Sequence, residues 1–469
     1  MGALSNLSYS ETPIASPFYK MLLPILVFEF GLLSMFWAGG ITPVLALTGM
    51  IVFLALVYAF YRNSMHAVLA LMFSVVAGPL AVVKVAGKAP AFLWLDVALF
   101  LAVIVMMVRW PMEWDGKIKM HPIAKSFLLF LGWGALTTLQ AVDMPRAIVL
   151  LRSYFSGLVA FLLVYKTVQT EKEVRKICVA LLLWAICLSL IEIYNLLQYG
   201  GLTMGIIGVF LYKNLMATSW GKSNYLAAFD VLLIPFALAV FLTKTSRHLK
   251  SLIIIALALM TTALILSLSR GGLIACFVAV LIVLARFLSL RTFLPIIAMA
   301  FAIGLVVFLN PLTFVLIERT ATLEQSASVY SRLDFWKETW QIFQAHPITG
   351  VGLGNLGYYA AFVTAGYSSA HNIALGLLAE MGIVGFMLFV FLMAGTFRAF
   401  AQSLKIAQSD FEKHLVWGAF CSLIGALLHS LLEPNFEGVQ FSVMVWTIIG
   451  LVAKLPRLAS EPTASRIGA

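Results

Sequence analysis

Apolar residues fall in long runs broken by short polar stretches, near residues 21–37, 42–60, 66–86, 91–108, 123–140, 149–165, 176–197, 225–243, 251–268, 271–290, 292–310, 372–397, 415–432 and 438–454. A helix needs about 20 apolar residues to cross a bilayer. The pattern therefore predicts an all-α, polytopic transmembrane helix bundle of about 12–14 helices. Some runs are interrupted, as at Gly78-Pro79, and read as kinked, tilted or re-entrant helices. No internal repeat is evident, which weighs against a transporter built from two related halves.

Two connections, 198–224 and 311–371, are much longer than the rest, and long connections in compact proteins are commonly functional. Within the second, SRLDFWKETWQIFQAHP places Phe335, Trp336, Trp340 and Phe343 on one helical stripe and Arg332, Asp334, Lys337 and Glu338 toward water. This predicts an amphipathic helix on the interface or over a cavity, ended by Pro347 and the glycines after it. The expected organisation is N-terminal spans over 1–197, a core over 198–454 that includes the large loop 311–371, and a tail over 455–469.

Composition sharpens the picture. The chain is 62% hydrophobic and 11% charged, against about 45–50% and about 25% for soluble domains, which excludes a soluble enzyme, a DNA-binding module and a secreted disulfide scaffold. Cys178, Cys187, Cys276 and Cys421 sit in apolar runs without metal or redox spacing. The net charge of +11 reads as basic cytoplasmic loops, not as a sign of nucleic acid. No cleavable leader is expected, since the first apolar run continues into a second. With both termini cytoplasmic, 21 of the 31 lysines and arginines face that side. The other ten, among them Arg146, Arg152, Lys213, Lys222, Arg270 and Arg332, fall on or near the outer face.

Candidate chemistry gathers there. Ser269-Arg270-Gly271-Gly272 closes one run and opens the next, and two glycines suggest a tight turn. A guanidinium on this side suits bidentate contact with phosphate oxygens, although an arginine snorkelling from a helix end is the plainer reading. AHPITGVGLGNLGY at 345–358 contains a literal GxGxxG, but no strand precedes it and no βαβ unit exists, so its glycines read as letting an outer loop fold closely over the mouth. Ser369-Ala370-His371-Asn372 stands at a helix entrance, where the histidine is either a cap or a base for a hydroxyl proton. Glu380 lies further in and should face the bundle interior. Lys222 and Lys213 put positive charge near a helix N-terminus, a setting that favours phosphate. Glu29, Asp96 and Glu192 gain no role from their spacing, and Arg146 and Arg152 either flank a helix or touch an anion. No DxD, HExxH or carboxylate cluster calls for a metal, so a metal-independent mechanism without cofactor is expected.

At these motifs the chain resembles the O-antigen ligase and O-antigen polymerase superfamily of bacterial membrane glycosyltransferases. The resemblance rests on SRGG at 269–272, HPITGVGLGNL at 346–356 and the SAHN…LLAEMGIVG pattern, in that order, and is densest from about 205 to 400. It implies a multi-pass protein of the bacterial inner membrane with its active site facing the periplasm. The implied reaction moves a glycan from undecaprenyl diphosphate to an acceptor sugar hydroxyl, on lipid A core in the ligases and on another carrier-linked unit in the polymerases. Arg270 matches the family arginine that holds the donor diphosphate, and His371 the loop histidine that activates the acceptor. Arg332, Asn372 and Glu380 become candidate substrate contacts. Relatives carry an Arg-Gly before an Asn-Pro-Asn-like turn where this chain has Gly221-Lys222-Ser223-Asn224. Lys222 or Lys213 would have to replace that arginine as a point charge. The alternative from another class is a transporter or flippase of a lipid-linked glycan or anionic solute.

Overall fold

The computed structural model describes residues 54, 56–77, 93–112, 120–198, 223–289, 291–292, 294–295, 326–359 and 369–460, and no strand occurs among them. The chain divides into two units. One comprises Met1–Ala67 and Phe100–Lys119, the other Val68–Leu99 and Met120–Ala469. Helices α1 (Ser64–Ala77) and α2 (Leu93–Met112) each run from one unit into the other. Lys213, Lys222 and the apolar runs at 21–37 and 292–310 lie outside the described residues, apart from Thr292, Leu294 and Pro295.

The second unit continues with α3 (Pro122–Thr138), α4 (Met144–Thr167), α5 (Glu171–Gln198), α6 (Ser223–Phe241), α7 (Arg247–Leu266) and α8 (Arg270–Phe287). Then come α9 (Ser326–Ala345), the single turn α10 (Leu356–Tyr359), α11 (Ile373–Ile406), α12 (Asp410–Ser430), a 3-10 turn at Asn435–Glu437 and α13 (Val439–Ser460). Among the described residues eight helices, α4 to α8 and α11 to α13, are long and apolar enough to cross a membrane. The protein is an all-α, multi-pass bundle, as the apolar runs predict; described helix ends lie up to nine residues from those of the runs, as at Ile406 against 397 and Ala77 against 86.

Short connections make sequential neighbours antiparallel within α3–α5, α6–α8 and α11–α13. Contacts join the three groups: Gly271 of α8 packs on Leu432 just past the end of α12, and Asn355, in the loop clamped by Glu380 of α11, bonds Asp143 at the start of α4. The ends of α3, α5, α7 and α12 and the starts of α4, α6, α8, α11 and α13 thus share one end of the second unit, called the mouth below. Leu196 near the end of α5 meets Leu266 and Leu268 there. The core lies along α13, with 94% of its span buried, and α6, with 78%; α7 and α8, at 28% each, are peripheral. Phe127, Phe161 and Trp446 interlock α3, α4 and α13 by ring contacts of 4.4 and 6.3 Å.

Helix α11 carries the feature that positions the site. It breaks at Gly382, whose φ of 68° and ψ of −173° no helical residue adopts. A break frees backbone groups that cannot stay unpaired in a buried setting. The chain at 347–352 supplies the partners: Val351 N–H donates to the Ala379 carbonyl at 2.9 Å, Gly352 N–H to Glu380 at 3.0 Å, and Ile383 N–H to the Pro347 carbonyl at 2.8 Å. The Trp133 indole N–H takes the Met381 carbonyl at 2.8 Å. Only glycine allows so close an approach, because a Cβ on Gly382 would lie 2.0 Å from the Ile348 oxygen and one on Gly350 2.3 Å from the Glu380 carbonyl carbon.

Candidate functional site

His371 closes the loop that leads into α11. Its backbone is left-handed, φ 49°, which is uncommon outside glycine. Asn372 after it is the N-cap of α11, its side-chain oxygen accepting from Ala374 and Leu375 N–H at 3.0 and 3.1 Å. The cap is thus the asparagine, which frees the histidine from that duty. The His371 ring places Nδ1 3.3 Å from Oε2 of Glu433, in the α12–α13 connection. Arg332 of α9 reaches the same oxygen at 4.0 Å.

Helix α9 is held beside them by its own apolar face. Phe335 is buried with Leu356, Ala370 and Ala379, and the Trp336 indole N–H donates to the Ala370 carbonyl at 3.0 Å, one residue before His371. The expected stripe is corrected here. Phe335 and Thr339 are buried whereas Trp340 is 45% exposed, because the helix rests on α11 through positions 335, 339 and 342, one step round from the predicted face. The helix ends at Ala345, just before His346-Pro347, as expected.

Arg270 is the first residue of α8 and is exposed, with Ser269 as N-cap accepting from Gly272 N–H at 3.3 Å. The turn expected of the two glycines is made one step earlier, at 267–269, with Leu268 left-handed at φ 51°. Gly271 and Gly272 are helical and serve close packing. A Cβ on Gly271 would lie 2.7 Å from Leu432 and 3.6 Å from the His429 ring, and one on Gly272 3.1 Å from Ala227. The first turn of α8 therefore abuts the 429–433 segment that carries Glu433.

That segment is itself built from polar side chains. The buried His429 Nδ1 accepts from Asn435 Nδ2 at 2.9 Å, and the same amide donates to the Ser430 hydroxyl at 3.2 Å. Burial holds the Glu437 carboxyl well above the ordinary carboxylate range, the neighbouring Glu380 and Glu433 adding to this and Arg146 opposing it. Glu433, His429, Asn435 and Glu437 were not singled out from the sequence. Their signal is HSLLEPNFEG at 429–438, a short connection between two apolar runs with two carboxylates flanking Pro-Asn.

Glu380 is buried in α11, as expected for a residue facing the interior, and its carboxylate accepts from Gly354 N–H at 2.8 Å and Leu356 N–H at 3.4 Å. It holds the glycine loop in place. The loop's far side is tied to the α3–α4 turn: Asn355 accepts from Asp143 N–H at 2.7 Å, and the Tyr358 hydroxyl donates to the Asp143 carboxylate at 2.9 Å. Arg152 forms an ion pair with Asp96 at 2.7 Å, which gives both residues a structural partner. The structure thus brings His371, Glu433 and Arg332 together, sets the Arg270 turn against the segment bearing Glu433, and assigns Asn372 and Glu380 to a cap and a loop clamp.

An imidazole fixed through one nitrogen by a carboxylate, with the Arg332 guanidinium on the same carboxylate, can take a proton from a hydroxyl, and a guanidinium can stabilise developing negative charge. No curated protein matches the chain. Residues 255–390, a stretch that holds Arg270, Arg332, His371, Asn372 and Glu380, match the family model described as O-antigen ligase, which supports placing this protein in the O-antigen ligase and polymerase superfamily.

Proposed function

We propose that the protein is a membrane glycosyltransferase of ligase or polymerase type that works at the mouth, on the periplasmic side of the bacterial inner membrane. It takes a glycan from undecaprenyl diphosphate and passes it to a sugar hydroxyl, on lipid A core or on another carrier-linked glycan, in the synthesis of a surface polysaccharide. The observation that carries this reading is the contact of His371 Nδ1 with Glu433 at 3.3 Å, with Arg332 on the same carboxylate and the Arg270 turn packed against its segment.

In this reading Glu433 orients the ring through Nδ1, and Nε2 accepts the proton of the acceptor hydroxyl. The hydroxyl oxygen bonds to the anomeric carbon as the bond from that carbon to the diphosphate oxygen breaks, and the lipid diphosphate leaves with the electron pair. Direct attack inverts the anomeric centre. Arg270 and Arg332 stabilise the leaving diphosphate, with Lys213 and Lys222 as further cations. Asn372 and Glu380 serve the site by holding its frame.

Purified protein in detergent, given lipid-linked donor and acceptor, should form product without any compartment, and an absence of product there would favour a transporter. His371→Ala should lower the rate by about 10²–10⁴-fold. Arg270→Ala should lower it comparably, by about 10²–10³-fold. Both variants should insert and fold normally, and full activity in both would overturn the assignment.

A further inference from the structure

At the mouth, where α12 ends, His429 is 1% exposed and has no part in the chemistry described above. Its neighbours fix its tautomer. The Ser430 hydroxyl gives its proton to the Ala426 carbonyl at 2.7 Å, so toward Asn435, 3.2 Å away, it can only accept. The Asn435 atom facing it is therefore the amide nitrogen, and the same nitrogen donates to His429 Nδ1 at 2.9 Å. A ring nitrogen that accepts carries no proton, so the neutral imidazole holds its proton on Nε2. That N–H has no partner among the described residues, yet Nε2 is not one of the fully sealed polar atoms, so the little surface His429 keeps lies at this edge.

The edge faces the start of α8. Cδ2, bonded to Nε2, lies 3.6 Å from where a Gly271 Cβ would stand. Gly272 N–H is taken by Ser269, whereas the N–H groups of Arg270 and Gly271 have no partner among the described residues. The charges of Glu433 and Arg332 act on the ring, which sets His429 in the His371 corner, and those two charges already face one another at 4.0 Å. Two backbone N–H groups and one imidazole N–H therefore meet at the positive end of an 18-residue helix, and none of them is a buried charge that needs a counter-ion. Such donors suit phosphate oxygens. We infer that His429 Nε2–H, together with the first amides of α8, binds the diphosphate of the lipid carrier, with Asn435 holding the ring to this task. The inference rests on the glycosyltransferase reading above and adds to it a substrate contact made by a neutral ring.

Binding of farnesyl diphosphate to the full-length protein in detergent, with farnesol as the phosphate-free control, tests this through two variants of opposite design. His429→Asn puts an acceptor where Nδ1 stood, keeps the Asn435 bond and loses the reach to α8, and should bind the diphosphate about tenfold to a hundredfold more weakly. His429→Gln puts an amide N–H where Nε2 stood and should stay within about threefold of the parent. A histidine with a merely structural role gives the reverse order, and unchanged diphosphate binding in His429→Asn overturns the inference. So does a parallel loss of farnesol binding, which should be the same in all forms of the protein. If His429→Asn does not fold, His429→Gln decides alone: affinity near that of the parent supports the inference, and a loss of about tenfold overturns it. Parent protein that binds inorganic pyrophosphate as tightly as farnesyl diphosphate would overturn the lipid assignment, and parent protein that binds neither would overturn the glycosyltransferase reading as well.

Discussion

Between residues 346 and 356 the chain meets α11 backbone to backbone, through amides, carbonyls and glycines. At 369–372 and 429–437 it meets its neighbours through rings, carboxylates and a guanidinium. The two regions touch, since Ala379, Ala370 and Phe335 share one cluster, yet they do different work. The first makes a rigid frame in which the Ala379, Glu380 and Met381 carbonyls and the Ile383 N–H beside the Gly382 break find partners; the second presents titratable side chains, of which His371, Glu433 and Arg332 keep some exposure. HPITGVGLGNL and AEMG, which read along the chain as two motifs, are two sides of one junction. A short sequence match can therefore mark scaffold as well as chemistry, and geometry is what separates them.

The comparison breaks most decisively at Gly382. Gly382→Val puts a branched side chain where the Ile348 oxygen sits and forces a left-handed backbone on a residue that resists it. The expected cost is about 4 kcal/mol or more, seen as loss of monodisperse protein in size-exclusion chromatography. Gly132→Ala, with nothing within 4 Å of the new Cβ, should be neutral within about 1 kcal/mol. If the two behave alike, the junction is not the frame.

Glu380 tests whether a buried carboxylate beside the site is clamp or contact. Glu380→Ala leaves the Gly354 and Leu356 amides unpaired and should destabilise by about 2–3 kcal/mol, whereas Glu380→Gln keeps an acceptor and should retain most of the stability and activity. Loss of activity in Glu380→Gln at full stability would make the charge a substrate contact. The opposite profile is expected at Glu433, whose side chain is 15% exposed. Glu433→Gln keeps an acceptor for the ring, so it should change stability by less than about 1 kcal/mol and lower kcat about tenfold by removing the charge that favours the protonated His371 ring. A raised donor KM with unchanged kcat would instead make Glu433 a binding residue.

How much of this is legible in the sequence follows from what each part depends on. Helix positions are legible because they rest on local hydropathy, and α9 is legible because its periodicity is local, though its packed face is one step off since tertiary contact with α11 chooses among adjacent faces. His371 and Arg270 are legible as cations and a base on the side where such residues are scarce. Glu433 is not, because its meaning comes from a contact 62 residues away in sequence that no spacing rule encodes. The packing roles of Gly271 and Gly272 are not legible for a related reason: turn chemistry is the usual use of paired glycines, and only the packed structure shows Leu432 and Ala227 pressed against them.

The smallest effect concerns the loop's outer tether. The Asp143 carboxylate accepts from Arg146 N–H at 3.0 Å and from the Tyr358 hydroxyl at 2.9 Å, and these two donors hold its pKa below the ordinary aspartate range, the charge of Arg146 adding to them. A carboxyl whose folded value lies below its unfolded one stabilises the fold fully above the unfolded value and loses that contribution as pH falls through the folded one. Melting temperature should therefore be insensitive to Asp143 between pH 7 and about 5, and should fall below about pH 4. Asp143→Asn should melt lower than the parent at neutral pH and converge with it in acid, since the amide cannot lose a charge. Because the group is exposed to solvent, the gap should be small. A gap that stays constant down to pH 3 would mean that the tether acts through geometry alone, and the exposed edge of the junction would then resemble its buried interior more than the polar corner beside it.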